Sequence, residues 1–160
     1  MLLFTMTIAP LAAQELSGTA VLVEGTVRSQ GLPGFLPNRI PALFGRYETE
    51  KGASVSVWAA FEPLVFDAAR WQEKNVSKNR AWFRVSADRK QVWCVSRTVP
   101  MRAGMEAFSK VTFVIETDAA LPEESCSAFL LTFIDRTEFF FSSANRAGDL
   151  SFPARVDTGQ

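Results

Sequence analysis

Residues 80–98, RAWFRVSADRKQVWCVSRT, alternate in polarity on either side of the turn-forming pair Asp88-Arg89. Period-two alternation is the mark of a strand, because successive side chains of an extended chain leave on opposite faces. Two such runs around a short polar turn predict a β-hairpin over 80–87 and 90–98. A two- or four-residue loop sets Phe83 opposite Cys94 and Val85 opposite Val92 on an apolar face. The other face then carries Trp82 opposite Val95, Arg84 opposite Trp93 and Arg80 opposite Arg97. A three-residue loop slips the register by one and redistributes these side chains.

In that register Trp82, Arg84, Trp93 and Arg97 make one outward surface of indole rings and guanidinium groups. Cation–π stacking across it suits a sugar ring, a glycan carboxylate or a peptide. The competing reading buries both tryptophans under the segment that contains Trp71.

The same patterning recurs along the chain, with candidate strands at 20–28, 42–49, 54–61, 110–117, 127–134, 137–142 and 150–156. Residues 29–41 hold three prolines and two glycines, which predicts an irregular loop. Asp67 is placed to cap one short helix running to about Lys74, with Asn75 as its stop. These elements predict an all-β, single-domain antiparallel β-sandwich of about nine strands with one short helix, a β-barrel being the alternative. The chain has 160 residues, 48% of them apolar and 21% charged, enough for one core and too apolar for disorder.

Chemistry is narrowed mostly by what is missing. The chain has no histidine and two cysteines. No imidazole is present to serve a Ser-His or Cys-His pair, and no zinc site of the Cys₂His₂ or Cys₄ kind can form. The sequence contains no S-x-x-K, no G-K-[ST], no G-x-G-x-x-G and no EF-hand loop. It therefore calls for no cofactor and no metal. A pair of carboxylates brought together by the fold is the one common catalytic arrangement that leaves no sequence signature.

Residues 1–13 are uncharged and largely apolar, and they end in Pro10-Leu11-Ala12-Ala13 before the polar Gln14-Glu15. An apolar run closing on small residues reads as a cleaved export signal, leaving residues 14–160 as the mature domain in the periplasm or outside the cell. The run is too short to span a bilayer as a helix. An oxidising compartment predicts a structural Cys94–Cys126 disulfide.

Other features carry less. Glu48 and Glu50, and the pair Glu123-Glu124, fit solvated edges and turns. Asn75-Val76-Ser77 has the form of a glycosylation triplet. Arg70, Lys74, Lys78 and Arg80 gather positive charge near Trp71, but seventeen basic residues balance seventeen acidic ones, so nucleic acid is set aside as a partner. Asp135, Arg136 and Glu138 interrupt the apolar runs at 129–134 and 139–141, which argues against membrane insertion. The sequence thus points to an exported, non-enzymatic binding module for a glycan, an envelope component or a protein partner. A small exported hydrolase using two carboxylates is the alternative.

Overall fold

The computed structural model describes residue 16 and residues 18–26, 42–60, 64–100, 108–139 and 150–158. The expected export signal at 1–13 and the proline-rich loop at 29–41 lie outside these residues. The strands are β1 (Gly18–Thr26), β2 (Ala42–Thr49), β3 (Ser54–Ala60), β4 (Gln72–Val76), β5 (Asn79–Val85), β6 (Lys90–Pro100) and β7 (Phe108–Asp118). After β7 come the helix α1 (Glu123–Arg136) and the short strands β8 (Glu138–Phe139), β9 (Leu150–Ser151) and β10 (Arg155–Thr158). Eight strands form one antiparallel sheet in the order β10-β1-β2-β3-β7-β6-β5-β4, and β8 pairs with β9. The two ends of that order are different strands, so the sheet is open. Among the described residues the fold is antiparallel β with one short helix, as the patterning implies.

One sheet face, the inner one, is covered by α1. Val55, Val57, Phe83, Trp93, Val95, Phe113 and Ile115 pack there with Cys126, Phe129, Leu130, Phe133 and Ile134 of the helix. Those helix positions recur at i, i+3, i+4, i+7 and i+8, a single apolar stripe. Here the structure corrects the sequence reading, which took 127–134 for a strand. The run is apolar on both faces at period two, so it also satisfies period 3.6, and the sheet below selects the helix. Glu123 and Glu124 lie in the first turn and Arg136 in the last, each matching the helix dipole.

The expected helix after Asp67 is instead one capped turn. Asp67 Oδ1 accepts from the Ala69 N–H at 2.9 Å, and the Asp67 carbonyl accepts from both Arg70 and Trp71 N–H. The chain then extends directly into β4. Ser77 and Lys78, with φ of 45° and 68°, form the two-residue turn that folds β4 back onto β5.

Two buried polar side chains fix the geometry. Gln91 donates to the carbonyls of Asp118 (3.0 Å) and Leu121 (2.7 Å) and accepts from Trp93 Nε1 (2.9 Å), tying the turn before α1 to β6. Tyr47 donates to the Pro153 carbonyl at 2.5 Å, anchoring the segment before β10, and burial raises its hydroxyl pKa. Gly45 permits this approach. A Cβ there would lie 3.0 Å from Phe152, 3.1 Å from Leu22 and 3.2 Å from Val57.

The Cys94–Cys126 disulfide does not form. Both thiols are free and buried, Cys94 among the outer-face residues Trp58, Val92 and Val114, Cys126 in the inner core. The sheet itself stands between them, well beyond the reach of a bridge. Burial raises both thiols, Cys126 to about 12 and Cys94 well above its ordinary value, so neither is a reactive thiolate near neutral pH. Protein unfolded without reductant should therefore titrate with two thiols, and reductant should leave the unfolding temperature unchanged. A single mass consistent with an intramolecular bridge would contradict this arrangement.

Candidate functional site

The hairpin of β5 and β6 has a three-residue loop, Ala87 to Arg89. The Ser86 N–H donates to the Lys90 carbonyl at 2.8 Å, and Arg89 takes the left-handed conformation at φ 58°. Phe83 therefore opposes Trp93, Trp82 opposes Cys94 and Arg84 opposes Val92. This one-residue slip divides the expected four-residue surface. Trp82 and Arg84 lie on the outer face, whereas Trp93 and Arg97 lie on the inner face.

Trp93 is only 2% exposed, and its ring meets Phe83 with centroids 4.6 Å apart. Lys74 stands over both rings, 4.3 Å from the Phe83 centroid and 5.5 Å from that of Trp93. Its ammonium pairs with Glu123 at 2.6 Å, which ties edge strand β4 to the start of α1. Arg97 Nη1 approaches Asp135 of α1 at 4.0 Å. These are contacts of the core and its rim. Arg80 pairs with Glu73 at 2.7 Å, so the basic residues near Trp71 disperse over both faces.

On the outer face a continuous row crosses the sheet: Phe44, Trp58, Val114, Cys94 and Trp82, on β2, β3, β7, β6 and β5. The segment 64–71 lies over the Trp82 end of this row. Phe66 stacks on Trp82 with centroids 5.6 Å apart at 20°, and meets Trp71 edge-on at 5.1 Å. Leu64 and Trp71 are themselves buried in this layer. The chain therefore covers much of the aromatic surface by itself, which was the competing expectation for Trp82.

A polar row runs beside it. Arg46 bridges Glu24 (3.5 Å) and Glu48, leaving the two carboxylates held by one guanidinium. Glu116 lies farther along, across from Val92 and Ser56. Desolvation raises Glu116 above its ordinary pKa of 4.5, with Asp88 adding to the rise and Lys90 opposing it. Asp88 moves the other way, lowered first by the Ser86 hydroxyl that donates to it at 2.6 Å. The folded chain thus holds the Glu116 proton more tightly than the unfolded chain does. Stability linked to this group is present below about pH 4.5 and falls as pH rises through the raised value. Glu116→Gln should raise the unfolding temperature at about pH 7, with the gain shrinking toward pH 4. An equal gain at both pH values would remove ionisation as its cause.

Where the 64–71 layer ends, an open cavity of about 360 Å³ lies among Arg70, Gln72, Phe83, Arg84 and Val85. Its making is local. The capped turn at 67–71 sends Trp71 into the outer layer and leaves Arg70 exposed, paired with Asp67 at only 4.0 Å. Arg84 lies 5.8 Å from the Trp71 ring, a cation–π contact that holds its guanidinium at the rim. Strand β4 begins at Gln72, opposite Phe83, so β5 continues past it. Of the expected site residues, Arg84 alone lines this cavity. Arg70 stands in the sequence within a basic cluster and nothing in the pattern marks Gln72, while Val85, expected on the apolar face opposite Val92, instead pairs with Gln91 and is 52% exposed.

Among the described residues no group of three or more His, Cys, Asp or Glu side chains could hold a metal. No described helix is long and apolar enough to cross a membrane. Comparison with protein-family models, with curated proteins and with solved structures gives no match.

Proposed function

We propose that this chain is a non-enzymatic binding module, exported from the cell, that takes a protein or glycan partner at the rim formed by Arg70 and Arg84. The cavity between these arginines carries the reading. It combines two cationic groups, an amide and an apolar wall in a volume suited to a small group, as binding clefts do. Export rests on residues 1–13 alone, and the N-terminus of the exported protein, expected near Gln14, checks it.

The hydrolase alternative has one observation in its favour, the opposed shifts of Glu116 and Asp88, since such pairs divide acid and base roles. Those two carboxylates stand on the sheet surface and at the hairpin tip, whereas the cavity is lined by arginines. Binding is therefore the better supported reading.

A screen of acidic oligosaccharides and peptides, read by thermal unfolding and by product analysis of the same mixtures, tests it. A binding module gives a raised unfolding temperature with the ligand recovered intact. The effect should weaken in Arg70→Gln. Ligand recovered as cleaved product would replace this reading with the hydrolase, beginning at Glu116.

A further inference from the structure

We infer that the cavity receives the C-terminal residue of a partner polypeptide, bound through its free carboxylate and its last amide. This deepens the binding-module reading and rests on it. The argument starts from the hydrogen-bond alternation of antiparallel strands, in which every second residue directs its N–H and C=O toward a given neighbour. Ser86 and Lys90 are a hydrogen-bonded pair. Arg84 and Val92 are then the next such pair, and Val85 directs its main-chain groups away from β6.

The two-residue turn at Ser77–Lys78 leads to the same result from the other side. Val76 and Asn79 close that turn, so Gln72 and Phe83 form a hydrogen-bonded pair two steps along, and Val85 comes next in that series. Strand β4 has ended by then. Among the described residues no strand lies beside Val85 on that side, and because Val85 lines the cavity the alternation directs its donor and acceptor toward that space.

One residue in β conformation satisfies both groups of Val85 at once, by accepting from its N–H and donating to its C=O. A C-terminal residue has the required amide N–H, and its carboxylate offers the acceptor. The charge matches too. Arg70 and Arg84 flank the position, and Gln72 adds an amide donor. Guanidinium groups recognise carboxylates through strong, directional hydrogen bonds. Paired strand residues share a face, so the ligand's last side chain would lie against Val85, which is 52% exposed, and beside Phe83. An apolar last residue fits there. A carboxylated sugar supplies the charge but lacks the amide N–H for the Val85 carbonyl.

The test uses N-acetylated pentapeptide pools ending in Leu, Val or Phe, each made as the free acid and as the C-terminal amide. Binding is read by fluorescence anisotropy and by the Val85 amide resonance in NMR spectra. Free-acid peptides should bind, amidation should weaken binding at least about tenfold, and Val85 should shift on saturation. Arg70→Glu should weaken binding by a similar factor. Arg70 is exposed and outside the core, so this variant should fold, whereas Arg84→Gln also alters the contact with Trp71. Arg80→Gln should leave binding unchanged.

Equal binding of acid and amide, no binding of any free acid at millimolar concentration, or an unmoved Val85 resonance would overturn the proposal. Galacturonate oligomers that bind in an Arg70-dependent way when the peptides do not would also overturn it, while the binding-module reading stood. Peptides returned as shorter fragments would overturn both.

Discussion

Trp93→Ala is expected to cost about 3–5 kcal/mol of folding stability, a large part of what a domain of this size possesses. Three losses combine. The ring is nearly fully buried against Phe83, and its removal leaves a cavity in the inner core. Its indole N–H donates to Gln91, so truncation also leaves the Gln91 oxygen without that donor inside the protein. The Lys74 ammonium loses one of the two rings it faces. Trp82→Ala should cost less, about 2 kcal/mol, because that ring is only half-buried beneath Phe66. Urea denaturation of both variants measures the difference. A Trp93→Ala loss below about 1 kcal/mol would return Trp93 to the surface and restore the register expected from a two- or four-residue loop.

Phe133→Ala should be as damaging, again about 3–5 kcal/mol. Phe133 joins the helix to three separate parts of the structure. Its ring centroid lies 5.8 Å from that of Tyr47 on β2, 6.0 Å from Phe113 on β7 and 5.0 Å from Phe152 near β10. A stacked contact with Phe129 completes the cluster. Truncation should weaken the seating of α1 and of the C-terminal segment together. The exposed Glu124→Ala, on the same helix, should change stability by less than about 0.5 kcal/mol. Similar effects for the two variants would show that α1 is not held by this aromatic stripe.

Taken alone, the sequence determines the class of this protein and the location of most of its strands. The alternation in β2 and at the start of β3 is legible because those residues bury one face more than the other, whereas 91–95 of β6 and 111–115 of β7 are buried on both faces and show as short apolar runs rich in β-branched and aromatic residues. The lack of histidine likewise settles from composition which catalytic groups the chain cannot assemble.

Tertiary structure decides which face each side chain occupies. The β5–β6 loop has three residues because Arg89 adopts a left-handed conformation that glycine or asparagine would have announced and arginine does not. That one residue moves Trp93 into the core and Cys94 away from Cys126, while Trp82 stays on the outer face and is covered there by Phe66. The helix at 123–136 is decided in the same way, because 126–134 carries an apolar pattern compatible with both periods and only the bare inner face of the sheet chooses between them. Strand β4 has almost no apolar signal, since it is an edge strand whose residues Glu73 and Lys74 find their partners in Arg80 and Glu123. The candidate site depends on where that strand starts. Its cationic rim and the open main chain of Val85 exist because β4 begins at Gln72 and no earlier, a boundary set by the Asp67 turn and by the burial of Trp71. Local pattern records how often a residue is buried, but register and strand ends are fixed by contacts between distant segments, and those segments make the site.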